Sequence, residues 1–283
     1  MLRVDLHLHS TASDGRFSPA ELVRKAVGEG LTVIALTDHD TIDGVAPALE
    51  AARAFPQLRL IPGVEISTDV SEGEVHILGY FIDHTDSNLQ AALEQMRNSR
   101  RVRAQKMVAR LEELGYPIEW ERVQEIAGSG VIGRPHIAQA LLGKGYIKSL
   151  KEAFTKYIGR DGPAYVEREK VTPAGAVELL IQAKGLPVLA HPLTVPEPEL
   201  LATELKAFGL VGIEAYYAGY AAEDIERLVS IANQHNLITT GGTDYHGLDT
   251  NTETSIGGVD IPKESLKNLL TLARQSRLKP AHN

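Results

Sequence analysis

The chain has 283 residues, 43% hydrophobic and 23% charged, a composition that predicts a soluble globular protein with core enough for one α/β barrel or two smaller domains. It contains no cysteine, which excludes disulfides and thiolate metal sites and fits a cytoplasmic setting; the first residues lack the pattern of a signal peptide, and no apolar run approaches the roughly 20 residues of a membrane span. A net charge of −8 argues against a generally basic nucleic-acid-binding surface, although carboxylates that hold cations would make that figure overstate the anionic character.

The first predicted element is a strand, Val4 to Leu8, and it ends in His7 and His9. Residues at i and i+2 of a strand share a face, so the two imidazoles project side by side. One such pair is explained equally by a metal site or by one solvated and one core histidine. Ser18-Pro19-Ala20-Glu21 then reads as a capping box with proline at the first helical position, Leu22, Val23, Ala26 and Val27 form the apolar stripe, and Gly28 and Gly30 close the helix. LTVIALTDHD, residues 31–40, is a continuous apolar strand, as expected when a parallel sheet buries both faces. LRLIPGVEIS (58–67) and EVHILGYFI (74–82) supply two more strands.

The next strand candidate, PVLAHP, begins only at Pro187, far beyond what an ordinary crossover needs. A mostly helical insertion over 96–170 is therefore predicted, opening with the strongly helical RNSRRVRAQKMVARLEEL. Its Arg97, Arg100, Arg101, Arg103, Lys106 and Arg110 form either a solvated face or a local attractor for a nucleotide or short oligonucleotide. Thr172-Pro173 opens a helix that runs to about Lys184 and ends at Gly185; VGIEAYY (211–217) and LITTGGTDYH (237–246) are strands, with a helix from about Glu223 to Gln234 between them. The pattern predicts an α/β fold, a seven-stranded (β/α) barrel over 1–95 and 171–283 carrying the 96–170 subdomain.

Polar residues gather at the predicted strand ends: His7 and His9, Asp38 and His39, Glu65, His76, His191, then Asp244 and His246 again at i, i+2, with Asp14 in the first loop. Each has an ordinary reading, Asp14 as a turn residue, Asp38 as a helix cap, His76 as a core histidine. Together they would load one end of a barrel core with polar groups that lack partners, and a cluster of divalent cations satisfies them all. Barrel enzymes place their chemistry at this C-terminal face.

The set DLHLHSTASDG, LTDHDTIDG, PGVEIS, VHILGY, AHP and GTDYHG, spread over residues 5–247, resembles the PHP (polymerase and histidinol phosphatase) superfamily of metal-dependent phosphoesterases. The likeness is greatest to its stand-alone members with an inserted helical subdomain, which include nucleoside 3′,5′-bisphosphate phosphatases and enzymes that degrade short RNA from the 5′ end. It implies a distorted seven-stranded barrel and three divalent cations, Mn favoured and Fe or Zn as alternatives. Carried over by motif, His7, His9, Glu65 and Asp244 hold the first; Glu65 bridges to a second completed by His76 and His191; Asp14, His39 and His246 hold the third. GRPHIAQAL (133–141) and GRDGPAYV (159–166) also resemble that subgroup's insertion, and imply that Arg134 and Arg160, with His136 beside them, approach substrate phosphate. His191 is the candidate proton donor, although a ligating imidazole is a poor acid; Asp38 and Asp43 are candidates for orienting the histidines.

Clustered divalent ions suit phosphate ester hydrolysis because they acidify a bound water, neutralise phosphoryl oxygens and orient in-line attack. The expected partner is a small phosphorylated substrate, a nucleotide or short oligoribonucleotide, with no membrane and no obligate protein partner. Three alternatives stand beside this reading. An amidohydrolase also begins with His-x-His but usually carries a metal-bridging lysine, where this chain has Glu65. A histidinol-phosphate phosphatase shares the ligands, but GRPH points away from it. A non-catalytic PHP module is disfavoured by the complete ligand set.

Overall fold

The computed structural model describes residues 3–70, 73–128, 130–167, 171–248 and 253–278; the predicted insertion boundary at 170 adjoins residues 168–170, outside the described set. Seven strands follow one another in chain order around a single sheet: β1 (Val4–Leu8), β2 (Val33–Leu36), β3 (Arg59–Val70), β4 (Gly73–Tyr80), β5 (Leu186–Leu189), β6 (Gly212–Tyr217) and β7 (Ile238–Gly242). β1, β2 and β3 run parallel, as do β5, β6 and β7. A parallel bridge between Leu8 and Tyr245 brings the last strand's end back to the first, with the amide of His9 donating to Tyr245 O at 3.1 Å. The sheet is thereby nearly closed into the expected barrel.

The regular alternation of strand and helix fails at one place. β4 is antiparallel to both β3 and β5. Only residues 71 and 72 separate β3 from β4, and a connection that short can make a hairpin but not a parallel crossover. The hairpin register pairs Ser67 with His76 and Glu65 with Leu78, which puts the His76 side chain diagonally next to Glu65 on the inner face.

Helices cover the outside. α1 (Pro19–Gly28) begins with the predicted capping box: the Ser18 hydroxyl accepts from the Glu21 amide, and Glu21 accepts from the Ser18 amide at 2.9 Å. α2 (Val45–Ala52) follows β2. α3 (Ser87–Glu113) is one uninterrupted helix started by Asp86, whose carboxylate accepts from the Leu89 amide. It begins well before residue 96 and serves two cores. Leu89, Leu93 and Met96 pack with the barrel's Ile66, Ile77 and Leu180, whereas Met107 and Leu111 pack with Val123, Ile137 and Leu141. The second core belongs to α4 (Trp120–Ala127), α5 (Arg134–Gly143), the short α6 (Leu150–Ala153) and the π-helical turn at Phe154–Ile158. α7 (Pro173–Gln182), capped by Thr172, returns the chain to β5, and α8 (Pro198–Ala207), α9 (Ala222–Gln234) and α10 (Lys263–Leu278) complete the outer layer. Among the described residues no helix is long and apolar enough to cross a membrane.

The seam between β1 and β7 is closely packed. Asp5 ties it from below, accepting from Thr243 N at 3.0 Å, Thr243 Oγ1 at 2.7 Å and Gly257 N at 2.8 Å. Above it Gly242 lies so close to His7 that a Cβ there would sit 2.6 Å from the His7 backbone nitrogen. Gly242→Ala should therefore cost about 1–3 kcal/mol, the usual price of overpacking. Urea unfolding measures this, and an unchanged midpoint would mean that the strands do not meet so closely.

Candidate metal centre

The C-terminal ends of the parallel strands and the loops after them, with the N-terminal half of the antiparallel β4, bring His7, His9, Asp14, His39, Glu65, His76, His191, Asp244 and His246 into one cluster at the barrel mouth. Glu65, fully buried, is its hub. One of its oxygens lies 3.1 Å from His7 Nε2, 3.3 Å from His9 Nε2 and 3.0 Å from His39 Nδ1. The other lies 2.7 Å from His76 Nδ1 and 3.0 Å from His191 Nε2. Asp244 forms a second meeting point, 3.2 Å from His7 Nε2 and 2.9 Å from His9 Nε2. Asp14 forms a third, 3.3 Å from His246 Nε2 and 3.9 Å from both His9 and His39.

The local backbone is bent to achieve this. Asp244 (φ 54°), His191 (φ 26°) and Asp40 (φ 50°) all occupy the left-handed region, which costs a non-glycine residue about 1 kcal/mol or more and turns the chain sharply at the ends of β7, β5 and β2.

His7, His76 and His191 hydrogen-bond Glu65, but not every short separation here is a hydrogen bond. Both ring nitrogens of His9, Nδ1 of His39 and His191, and one oxygen each of Asp14 and Asp244 are buried without an aligned partner among the described residues. Such atoms are costly unless something else satisfies them. Their grouping says what fits. His9, Asp14, His39 and His246; His7, His9, Glu65 and Asp244; and His39, Glu65 and His76 each offer ligand atoms within 4.8 Å of one another. Nitrogen and carboxylate donors without sulfur suit divalent Mn, Fe or Zn. His9 joins two groups and His39 reaches both Asp14 and Glu65, so the groups interlock more than the motif order implies.

Burial alone would raise the pKa of every carboxylate here, but the imidazoles outweigh it and hold Asp14, Glu65 and Asp244 well below the usual range. Conversely, burial opposes charging the histidines, yet Glu214, Asp244 and Glu65 push His7 up, and Asp14 and Asp244 carry His246 to about 10. For His39 burial prevails and brings it down to about 4.

Behind the cluster stand groups that aim it. Glu214, buried on β6, takes the Nδ1–H of His7 at 2.9 Å and the main-chain N–H of His191 at 2.8 Å. With the Nδ1 proton held by Glu214, Nε2, which faces Glu65 and Asp244, is the nitrogen that would bind a cation. Sequence reading passed over Glu214, though a lone carboxylate inside the apolar strand VGIEAYY was a visible signal. Tyr217 donates to Asp244 at 2.8 Å and was also missed. Asp38 accepts from Ser10 N, Ser10 Oγ and Ser13 Oγ, each at 2.7 Å, so it braces the loop that leads to Asp14. Asp43 is exposed beside Arg97.

A cavity of about 130 Å³ opens over the cluster, with Asp14, His39, His76 and His246 on one side and Arg100, Arg103 and Arg134 on the other. Arg134 is thus brought to the site. Neither Arg160 nor His136 is among the residues lining that cavity; His136 is buried in the first turn of α5, its Nδ1 accepting from the Gly133 amide at 3.0 Å. The basic run of α3 is mostly turned inward. Arg97 donates to Thr41 at 3.1 Å, Arg100 reaches Asp40 and Ser67, Arg103 donates to Val166 O at 2.9 Å and Arg110 to Tyr165 O. Arg101 and Lys106 are exposed and make no such contact among the described residues.

Fold and site define a class: a metal-dependent hydrolase on a mixed β/α barrel. The family model described as PHP domain matches residues 5–158. A 5′-3′ exoribonuclease of Haemophilus influenzae is 35% identical over 248 residues, 86% of this chain and 90% of that one. A 3′,5′-nucleoside bisphosphate phosphatase of Chromobacterium violaceum is 33% identical over 253 residues, 87% and 88% of the two chains. A crystal structure described as a metal-dependent phosphoesterase of Bifidobacterium adolescentis superposes with a TM-score of 0.86 at 30% identity, covering 95% of this chain and 96% of the other. The chain belongs to the PHP family of metal-dependent phosphoesterases.

Glu214→Gln places an amide NH2 against either the His7 ring N–H or the His191 amide. It should lower divalent-cation affinity about 10–100-fold, the usual effect of removing a carboxylate behind a ligating histidine. Titration of the chelator-stripped protein with Mn measures it; an affinity equal to wild type would mean that Glu214 does not orient the site.

Proposed function

We propose that the protein removes the 3′-phosphate from nucleoside 3′,5′-bisphosphates, using three divalent cations with Mn as the activating ion. The observation that carries this reading is the convergence of five imidazoles on buried Glu65, facing a wall of arginines across one small cavity. Cations satisfy the first side and phosphoryl oxygens the second. His7, His9, Glu65 and Asp244 would hold one cation, Glu65, His76 and His191 a second, and Asp14, His39 and His246 a third. Bound there, the cations would supply water activation and charge neutralisation at phosphorus.

The chain's own groups do the rest. Arg134, on the opposite wall, faces the space that the substrate's phosphates would fill. Glu214 and Tyr217 keep His7, His191 and Asp244 aimed at the cavity. In this reading His191 is spent on holding a cation and does not deliver the leaving-group proton. Cleavage of short oligoribonucleotides from the 5′ end is a second use of the same site, supported by a relative of that name at 35% identity. An amidohydrolase reading is weaker, because the bridging position carries Glu65 and no lysine among the described residues lines the cavity. A cytoplasmic setting rests on the cysteine-free composition.

Phosphate release with Mn from adenosine 3′,5′-bisphosphate, histidinol phosphate and a 5′-phosphorylated short RNA tests the proposal. Adenosine 3′,5′-bisphosphate should be the best substrate, and histidinol phosphate should be poor. Chelation should lower the rate by at least about 100-fold and Mn should restore it. No release from any of these esters, or a preference for histidinol phosphate, would refute the assignment.

A further inference from the structure

The arginine wall holds more positive charge than its protein partners use well. Arg100 is occupied, its fork bound by Asp40 and Ser67. Arg103 of α3 and Arg134 at the start of α5 instead share a single carboxylate, Glu74 at the start of β4. One Glu74 oxygen meets Arg134 Nη2, and the other stays 3.6 Å from Arg103 Nη2, beyond hydrogen-bond reach. Arg103 Nη2 is buried and has no hydrogen-bond partner among the described residues, although Arg103 Nε is spent on Val166 O and the guanidinium lies 5.0 Å from the Tyr165 ring. An unpaired guanidinium nitrogen, buried in a cavity wall, is a costly feature that an acceptor oxygen relieves, an anionic one most strongly.

We propose that Arg103 and Arg134 form a seat for the second, non-scissile phosphate of the substrate, and that Glu74 is an internal competitor for that seat. This rests on the bisphosphate reading above. A phosphate carries about −1.5 to −2 charges and presents several oxygens to guanidinium forks, so it can satisfy both arginines where one carboxylate satisfies one. Glu74 remains 26% exposed, so it has a route to water when displaced. A substrate with one phosphate at the cations leaves Glu74 in place. A substrate with two must push it aside, and its affinity is reduced by that contest. Glu74 thereby sets how many phosphate charges the cavity accepts and how tightly the product, a nucleoside 5′-phosphate, is retained.

The test uses Mn-loaded wild type, Glu74→Gln and Arg103→Lys. Calorimetry follows adenosine 5′-monophosphate, which carries only the phosphate that would occupy the seat, and kinetics compare adenosine 3′,5′-bisphosphate with adenosine 3′-monophosphate. Glu74→Gln should bind the 5′-monophosphate about three- to tenfold more tightly and lower KM for the bisphosphate by a similar factor, the scale of one partly screened charge contact. The change should fall in KM and not in kcat, and KM for the 3′-monophosphate should move less than about twofold, because its single phosphate stays with the cations. Arg103→Lys keeps the charge but loses the fork, so it should weaken the 5′-monophosphate and bisphosphate selectively. A Glu74→Gln protein that binds the 5′-monophosphate no better than wild type, or worse, overturns the competitor role; that is the result expected if Glu74 merely props up Arg134. Should wild type release no phosphate while Glu74→Gln still tightens the 5′-monophosphate, the seat stands and the reaction assigned above falls.

Discussion

A carboxylate buried at the centre of a barrel mouth is the constraint from which the rest of this structure follows. Glu65 has no access to water, and its charge is tolerable only because imidazoles from β1, the β2 end, β4 and β5 surround it. Those histidines are scattered along the chain, so they meet only when the sheet curls round on itself. The antiparallel β4 belongs to the same logic: a hairpin out of β3 is the shortest way to put His76 beside Glu65. Closing the seam between β1 and β7 then carries Asp244 and His246 to the cluster.

Around that centre the protein spends further buried polar groups on direction. Glu214 settles which nitrogen of His7 carries its proton, Asp38 pins the loop that delivers Asp14, and Asp5 ties β1 to the segment beyond β7. Each is satisfied by several hydrogen bonds, which is what makes its burial affordable; Glu214 acts directly on His7 and His191, whereas Asp38 and Asp5 act on the segments that carry site residues. Left-handed backbone at Asp40, His191 and Asp244 is the corresponding cost in the main chain.

The inserted helices meet this arrangement at the start of α5, where Val131 N donates to Ala12 O at 3.0 Å and Arg134 pairs with Glu74, and along α3. The first half of α3 packs as a barrel helix and its second half as the spine of a separate core. Arg97, Arg100 and Arg103, three residues apart and so on one helical face, look down on the loop after β2 and into the cavity. The insertion is therefore less a lid laid on a finished barrel than a second wall of the same pocket, cationic where the first is rich in imidazole and carboxylate.

Much of this was legible in the amino-acid order. The seven strands, the capping box at Ser18 and the cluster of histidines and carboxylates at strand ends could be read because hydrophobic periodicity, helix caps and donor chemistry are local properties. The antiparallel pairing of β4 lay hidden in a two-residue connection, and the helix that opens the 96–170 insertion reaches back to Ser87, its Leu89, Leu93 and Met96 packing on the barrel. Partnerships were not legible at all: Glu214 with His7, Tyr217 with Asp244, Glu74 with Arg134, and His136 turned to Gly133 and away from the cavity. The amino-acid order by itself determined which chemical groups the barrel mouth would contain; the tertiary structure alone decided which of them face one another. Composition and spacing travel with the chain, whereas a contact across 60 or 207 positions, as in Arg134–Glu74 or His7–Glu214, exists only once strand register and barrel closure have set the distance.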